Sequence, residues 1–182
     1  CSGTCYLEPQ LELSRSGYPS AIYGNVVPKD VPRIIDSYLS GSAAGATALR
    51  EKPGILRGES GVPIFEEMDF LKYQVRRVTA NCGKINPESI EDYIASGGYT
   101  GLRKALSIKP EEVIDLVKAS GLRGRGGAGF PTHLKWLICR QATAERKFVI
   151  CNADEGDPGA FMNRMEAESD PHRVVEGLII AG

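Results

Sequence analysis

Three features are scarce in this sequence: long apolar runs, an excess of charge of one sign, and cysteine. No segment reaches the roughly 18 consecutive apolar residues of a transmembrane helix, and the first residues do not resemble a signal peptide. We therefore expect a cytoplasmic protein without direct membrane insertion. The net charge of −1 provides no electrostatic basis for binding nucleic acid. Five cysteines, an odd number, argue against a secreted disulfide scaffold.

Glycine, in contrast, is concentrated in one segment, Gly121–Thr132, with the sequence GLRGRGGAGFPT. Its glycines let the backbone adopt positive φ angles and approach a ligand without an intervening Cβ. Arg123 and Arg125 lie inside the segment, and a helix is predicted to begin at Pro131–Thr132. Exposed amides, fixed positive charges and a helix N-terminus are together typical of a phosphate-binding loop.

The segment Gly124–Gly129 also matches the pattern G-x-G-x-x-G, but a dinucleotide-binding fingerprint requires a strand immediately before it. Here the preceding residues 110–120, PEEVIDLVKAS, have apolar side chains at helical spacing. Pro110 suits the first helical turn and Gly121 the position just after the helix. The pattern therefore predicts a helix, a glycine loop and a second helix. A flexible linker is the alternative, although such linkers are not normally flanked by helices.

A second segment combines a short apolar run with polar residues. Lys147–Cys151 predicts a fully buried strand, and residues 152–159, NADEGDPG, follow at once. Ligands of open α/β sheets lie beyond the carboxyl ends of the strands, so these polar side chains are candidates for a binding site. Asn152 can donate and accept hydrogen bonds toward a heterocycle, and Asp154 and Glu155 can bind ribityl or ribose hydroxyls. The alternative is an Asx-rich turn that caps the next helix.

Together these residues resemble the FMN-binding subunit of NADH dehydrogenases. That family includes subunits of respiratory complex I and of NAD(P)-linked hydrogenases and formate dehydrogenases. The similarity covers about residues 70–182 and rests on several long motifs. These motifs are Gly121–Thr132, Leu134–Trp136, Asn152–Met162, Asn81–Pro87 and Asp170–Arg173.

The resemblance implies roles for individual residues. The loop glycines and Arg125 would contact the flavin, and Lys135 its phosphate. The isoalloxazine and ribityl groups would be held by Asn152 and the two acidic residues after it, while Phe130 and Asp157 would lie beside the nicotinamide dinucleotide. The implied cofactor-binding residues are Gly124, Arg125, Gly126, Gly127, Phe130, Lys135, Asn152, Asp154, Glu155 and Asp157.

Two positions depart from the family pattern. His133 stands where the family usually has glycine, and Asn163 where its hydrogenase-type members usually have aspartate. The resemblance implies no nucleophile or general base in this chain, because the cofactor carries the chemistry.

Two cysteines near the amino terminus carry a second resemblance. Cys1 and Cys5 are spaced as C-x3-C, and residues 1–40 resemble the C-terminal half of a thioredoxin-like [2Fe-2S] domain. A [2Fe-2S] cluster usually needs four thiolate ligands. The resemblance therefore implies that Cys1 and Cys5 are metal ligands in an incomplete set. Without the flanking similarity, a disulfide or two ordinary thiols would be equally compatible with the spacing.

We predict an α/β fold in which the chain divides into three segments. A partial thioredoxin-like half-domain occupies residues 1–40, a linker 41–63, and the first part of an FMN-binding, Rossmann-like α/β domain 64–182. The half-domain is predicted to end in a helix stopped by Gly41. The other predicted helices are at residues 65–79, 87–95, 102–106, 110–120, from about 132, and after Asp170 as N-cap.

The resemblance implies an electron-transfer subunit in which hydride passes from NADH or NADPH to FMN, and single electrons then pass to iron–sulfur clusters. It further implies a diaphorase-type oxidoreductase that is inactive as this fragment alone, with a [4Fe-4S] cluster in a missing C-terminal part. The partners would be iron–sulfur subunits of a hydrogenase, formate dehydrogenase or complex I-like assembly. A non-catalytic nucleotide- or phosphate-binding module, or an assembly scaffold, is the alternative.

Overall fold

The structure, a computed structural model, describes residues 3–40, 54–56 and 69–182. The chain divides into two compact units, residues 2–77 and residues 78–182. Helices and a small sheet occur together, so the chain has the mixed α/β character that the sequence predicts. The domain boundaries at residues 40 and 63 stay a prediction.

The first unit contains an antiparallel sheet with the strand order β1-β2-β3. Its strands are β1 (Leu11–Arg15), β2 (Tyr18–Tyr23) and β3 (Gly54–Leu56). The turn between β1 and β2 contains Gly17 at φ +80°, a conformation that favours glycine. Leu11 and Leu13 are half-buried while Glu12 between them is exposed. The alternation of β1 therefore turns one face of the hairpin toward the core.

Helix α1, Val31–Leu39, supplies the other side of this core. Ile34 is buried and clusters with Ala21 and Tyr23 of β2. The predicted apolar face of the helix is only partly covered, since Ile35 remains exposed. Val31 and Tyr38 of the same helix are partly buried and also pack against this cluster, so three side chains of α1 contribute to the core.

Residues 78–182, all of them described, contain six helices. They are α2 (Ile90–Ala95), α3 (Thr100–Leu106), α4 (Pro110–Ser120), α5 (Thr132–Gln141), α6 (Met162–Ser169) and α7 (Pro171–Ala181). Helix α4 packs on α5, and α7 packs on both α3 and α6. The glycine loop leads into α5, and the polar segment after residue 151 leads into α6.

The predicted helix at residues 110–120 is confirmed together with the signals at its ends. Pro110 is its first residue, and the backbone N–H of Lys109 donates to Glu112 Oε2 at 2.8 Å. Gly121 follows at φ +68°, the left-handed conformation that ends many helices. The predicted start of the next helix at Thr132 is confirmed as well.

The last helix also begins where the sequence predicts. Asp170 precedes it and Pro171 lies in its first turn, but the Asp170 side chain makes no capping hydrogen bond. Its Oδ2 instead accepts from Asn81 Nδ2 at 2.9 Å and pairs with Arg173 Nε at 3.0 Å. The buried carboxylate therefore ties the helix start to the segment before α2.

The strand predicted at residues 147–151 is wrong. Phe148 and Ile150 are 76% and 83% exposed, and Cys151 is exposed as well. A strand needs a neighbour for its backbone hydrogen bonds, and residues 78–182 contain no other strand. Residues 147–150 line an apolar cavity instead. The Rossmann-like arrangement of this unit therefore stays a prediction.

The helix predicted at residues 65–79 is also wrong over its described part. Residues 69–73 form turns, and the following residues up to 79 form no helix. Tyr73 and Val75 are 84% and 81% exposed, so these apolar side chains do not form a buried helix face. Packing of an apolar face supplies most of a helix's stability in proteins.

Two short helices begin at different residues from those predicted. Helix α2 begins at Ile90 rather than Pro87, because Ser89 accepts the backbone N–H of Asp92 at 3.1 Å and caps the helix there. Helix α3 begins at Thr100, two residues before the predicted start.

The predicted linker at residues 41–63 contains β3, which pairs with β2. That pairing depends on a distant strand, so the composition of the linker does not indicate it. Gly41, Cys1 and the rest of the linker lie outside the described residues.

Candidate functional site

The glycine loop is held closed at its base. The backbone N–H of Gly124 donates to the carbonyl of Phe130 at 2.8 Å. Arg123 and Pro131 pair as an isolated antiparallel bridge. Residues 124–130 therefore form a loop with a fixed neck that leads directly into α5.

Glycine is suited to this loop for two different reasons. Gly127 and Gly129 have φ angles of +103° and +61°, which residues with side chains rarely adopt. Gly126 has no such constraint, and an added Cβ there would meet no atom of its surroundings within 4 Å. The backbone at Gly126 is thus open to close approach. An open backbone of this kind fits the flavin or phosphate that the sequence predicts.

The two arginines of the loop differ in their contacts. Arg123 Nε donates to the backbone carbonyl of Gly129 at 2.6 Å, so this side chain holds the loop itself. Arg125 and Lys135 are exposed, and neither side chain has a hydrogen bond or ion pair with the described residues. Both are therefore available to an anion. Phe130, at the end of the loop, is 45% exposed.

The polar segment after residue 151 begins with an Asx turn. Asn152 Oδ1 accepts the backbone N–H of Asp154 at 2.9 Å, so the alternative of an Asx turn is confirmed here. The Asn152 NH2 group and the carboxylates of Asp154 and Asp157 are exposed. Within the described ranges these three groups make no hydrogen bond. The turn therefore leaves them free for a ligand.

Glu155 is the exception among the predicted residues of this segment. Its Oε1 accepts the backbone N–H of Asn163 at 2.5 Å, and its Oε2 accepts that of Arg164 at 3.1 Å. The side-chain amide of Asn163 donates to the carbonyl of Asp154 at 3.1 Å. Glu155 thus caps α6. Sequence reasoning missed this pairing, because the spacing of eight residues lies outside the local capping patterns.

The two halves of the predicted site are both formed, but they are not joined by polar contacts. Across the described part of the chain, no hydrogen bond or ion pair connects residues 124–130 to residues 152–157. The loop contributes open amides and the free cation Arg125, and Lys135 on α5 adds a second cation. The turn contributes free carboxylates and one amide group. The arrangement suits a ligand that carries both a phosphate and hydroxyl groups.

A cavity of about 600 Å³ adjoins α5, and the sequence did not indicate it. Trp136 and Lys135 lie on its wall, and Phe148 and Ile150 lie on another part of the same wall. Lys147 Nζ donates to the carbonyl of Arg140 at 2.6 Å, which connects this segment to α5. The apolar run predicted as a strand therefore forms a wall of the cavity.

A polar cluster that the sequence also did not indicate connects α2, α3 and α7. Tyr93 Oη donates to Glu176 Oε2 at 2.5 Å, and Tyr99 Oη lies 3.0 Å from His172 Nδ1. Burial, and then the Glu176 carboxylate, raise the pKa of the Tyr93 hydroxyl. The Tyr93–Glu176 pair spans 83 residues and the Tyr99–His172 pair 73, so no local pattern in the sequence indicates either contact. None of these residues is a predicted site residue, so the cluster serves to hold the helices together.

Of the two predicted metal ligands, Cys1 and Cys5, the structure describes Cys5. Cys5 is exposed at the start of a 3-10 turn, and Cys1 lies outside the described residues. In the described ranges, no group of three or more His, Cys, Asp and Glu side chains forms a metal site. Ligation of an iron–sulfur cluster therefore stays a prediction. Among the helices that the structure describes, none combines the length and apolar character of a membrane span.

Several known proteins resemble part of this chain. The NADP-reducing hydrogenase subunit HndC of Solidesulfovibrio fructosivorans is 60% identical over 111 residues, which are 61% of this chain and 22% of that protein. A subunit of the NADH-quinone oxidoreductase of Aquifex aeolicus is 55% identical over 93 residues, 51% of this chain and 22% of that protein. The NAD-reducing hydrogenase HoxS subunit alpha of Cupriavidus necator is 52% identical over 88 residues, 46% of this chain and 15% of that protein.

The matched part of this chain is thus less than a quarter of the length of each of these relatives. Their names describe oxidoreductase or hydrogenase subunits, which does not favour a non-catalytic binding module. Residues 117–182, which include the glycine loop and the acidic turn, match the Nuo51 FMN-binding domain. Over these residues the chain is similar to the Nuo51 FMN-binding domain family, in agreement with the family that the sequence resembles.

Proposed function

We propose that this chain is part of an FMN-containing electron-transfer subunit that oxidises NADH or NADPH. The observation that carries the proposal is the open backbone at Gly126, in a segment that matches an FMN-binding domain. Beside it stands Arg125, which has no partner among the described residues. Close approach of a ring system or phosphate requires such an uncovered backbone, and a phosphate favours a neighbouring cation.

The loop would hold the phosphate end of the cofactor. Backbone N–H groups of Gly126 and Gly127 would donate to it, while Gly124, whose N–H donates to the Phe130 carbonyl, would hold the loop closed beside it. Arg125 would add a guanidinium that can bind a phosphate through two hydrogen bonds. Lys135 on α5 would supply a second positive charge. The N-terminus of α5, which follows the loop at once, favours the same negative group.

The acidic turn would hold the polar edge and the hydroxyl groups. The NH2 group of Asn152 would donate to a ring carbonyl, and the Asp154 carboxylate would accept from ribityl hydroxyls. Phe130 would stack beside the dinucleotide, and Asp157 would accept from one of its hydroxyls. Glu155 is also one of the predicted cofactor-binding residues. Its carboxylate accepts hydrogen bonds from two backbone N–H groups at the start of α6.

FMN, when bound, supplies two-electron exchange with a nicotinamide and one-electron exchange with iron–sulfur clusters. The residues of this chain contribute binding and orientation. Arg125 and Lys135 would offset the phosphate charge, while side chains of residues 152–157 would bind the polar groups of the cofactor. We assign no nucleophile or general base to the chain, since the chemistry needs neither.

The finer parts of the proposal rest on the resemblance. Residues 1–40 would be half of a thioredoxin-like domain in which Cys1 and Cys5 supply two ligands of a [2Fe-2S] cluster. A [4Fe-4S] cluster would lie in another part of the polypeptide. The whole would work as a diaphorase-type enzyme in the cytoplasm and exchange electrons with iron–sulfur subunits of a hydrogenase, formate dehydrogenase or complex I-like assembly.

Absorbance and cofactor release test the proposal. The purified protein should absorb near about 450 nm, as free flavins do, and release FMN on denaturation. Addition of NADH or NADPH without oxygen should bleach this band. A protein that stays colourless after incubation with FMN contradicts the proposal. If it still binds inorganic phosphate, the non-catalytic module is the better description.

A further inference from the structure

Glu155 and Asn163 connect the acidic turn to helix α6 in both directions. The Glu155 carboxylate reaches forward to the backbone N–H groups of Asn163 and Arg164, at 2.5 and 3.1 Å. The Asn163 side-chain amide reaches back to the backbone carbonyl of Asp154 at 3.1 Å. Hydrogen bonds of opposite direction therefore hold the turn and the helix start in one arrangement.

The start of α6 relies on Glu155 among the described residues. Its N-cap, Phe161, makes no side-chain hydrogen bond, and its first turn contains no acidic residue. The Glu155 carboxylate therefore accepts N–H groups that lack partners within the helix. It also places a negative charge where the helix dipole favours one. Both oxygens of this carboxylate accept a hydrogen bond from the start of the helix.

Asp154 differs from Glu155 although the two are adjacent. Its backbone is held on both sides, because its N–H donates to Asn152 Oδ1 and its carbonyl accepts from Asn163. Its carboxylate is exposed and has no hydrogen bond with the described residues. A fixed backbone with a free functional group is the arrangement that a ligand-binding side chain requires.

We propose that Glu155 and Asn163 are positioning residues that hold Asp154 for contact with the flavin, and that Glu155 does not contact the flavin itself. The inference rests on the proposed function, since it needs FMN at this turn. It also explains how an asparagine at position 163 contributes to the site. An aspartate there would present an acceptor to the Asp154 carbonyl, where asparagine presents a donor.

Amide hydrogen exchange tests the connection without ligand. Glu155→Ala should speed exchange of the Asn163 and Arg164 N–H groups about tenfold, because both lose their acceptor. Glu168→Ala is the matched control, since Glu168 is exposed on the same helix and contacts only the Arg164 side chain. It should change these rates less than about twofold. Unchanged protection in Glu155→Ala overturns the proposal, whether or not the protein binds FMN.

A double-mutant cycle in the flavin-binding protein tests the role. Glu155→Ala and Asp154→Ala should each raise the dissociation constant of FMN about tenfold, and the double variant should bind no more weakly than either single one. This non-additivity follows if Glu155 acts through Asp154. An additive loss of about a hundredfold means that Glu155 contacts the flavin, and it overturns the proposal.

Position 163 provides an independent readout. Asn163→Ala should raise the dissociation constant of FMN about as much as Glu155→Ala, whereas wild-type affinity in this variant contradicts the role of the amide. A wild-type protein that binds no FMN overturns the proposed function and this role with it. Hydrogen exchange then shows separately whether the connection between the turn and α6 exists.

Discussion

The hydroxyl of Tyr93 on α2 donates a hydrogen bond of 2.5 Å to the carboxylate of Glu176 on α7, 83 residues further along the chain. The same carboxylate accepts the backbone N–H groups of Tyr99 and Leu102, each at 2.9 Å. One side chain thus joins three helices of the second unit and satisfies the start of α3.

Removal of this carboxylate should destabilise the second unit. We expect Glu176→Ala to lower the free energy of unfolding by about 2 kcal/mol, because a buried hydroxyl and two backbone amides lose a charged acceptor. Equilibrium urea unfolding followed by circular dichroism measures the change. Glu168→Ala, which removes an exposed glutamate from α6, should change the free energy by less than about 0.5 kcal/mol. Equal effects of the two substitutions would contradict the assignment.

Acid should weaken the fold partly through the same group. Burial acts to raise the pKa of Glu176, but the hydrogen bonds from Tyr93 and from the amides of Leu102 and Tyr99 outweigh it, so the pKa lies below its ordinary 4.5. Such a carboxyl contributes stability above its unfolded pKa, and the contribution is lost as the pH falls through the folded value.

The free energy of unfolding should therefore fall as the pH is lowered from about 5 to about 3, and Glu176→Gln should show a shallower fall. Urea midpoints measured along this interval give both slopes. Glu111, whose pKa is lowered by its hydrogen bond with Arg140, is unchanged in the variant and contributes to the slope that remains. Identical slopes would remove Glu176 as a source of the acid sensitivity.

Two glycine substitutions separate ligand approach from backbone effects. A Cβ at Gly126 or at Gly177 would meet no atom within 4 Å, so neither alanine is obstructed within the chain. We expect Gly126→Ala to raise the dissociation constant of FMN about tenfold with little change in unfolding. Gly177→Ala, inside α7, should add about 0.5 to 1 kcal/mol of stability without changing FMN affinity. Equal FMN affinities in the two variants, measured by fluorescence of released FMN, would argue against the loop as the flavin site.

The loop arginines should differ in the same way. Arg125→Ala should weaken FMN binding about tenfold and leave the unfolding free energy unchanged, since this side chain contacts no described residue. Arg123→Ala should alter both quantities, because it removes the hydrogen bond to the Gly129 carbonyl. Fluorescence titration with FMN and urea unfolding provide the two measurements. A stability loss confined to Arg125→Ala would reverse the assigned roles.

Gly98 should tolerate no side chain. An added Cβ would overlap the ring of Tyr93, which is 2% exposed and hydrogen-bonded to Glu176. We expect Gly98→Ala to cost about 1 to 3 kcal/mol as the ring is displaced. The urea midpoint reports the loss, and Gly177→Ala serves as the control for the general effect of alanine. A midpoint at or above wild type would mean that the ring moves freely.

Local chemistry explains why the region around the glycine loop is predictable. Pro110 suits the first turn of α4, Gly121 adopts the left-handed conformation that ends it, and Thr132 begins the helix after the loop. Each of these effects depends on the covalent chain and on neighbours within one or two helical turns. The sequence therefore contains everything needed to place the loop between two helices.

Strand formation at residues 147–151 and 54–56 is not predictable from the local sequence. Apolar and β-branched residues predict a strand at the first segment, yet a strand forms only where another strand supplies backbone partners. Residues 54–56 have such a partner in β2, although they lie in a stretch predicted as a linker. The sequence indicates which residues can pair, but not which partner lies beside them.

In the candidate site, too, the sequence determines some features and the tertiary structure determines others. Which residue types are available at the loop and the turn follows from the sequence alone, as do the positive φ angles that glycine permits. Whether a given carboxylate faces a ligand or a helix depends on how the chain folds back. The Glu155 carboxylate meets α6 and the Asp154 carboxylate does not, because an irregular turn between them and Asn163 brings distant backbone amides to one side chain only.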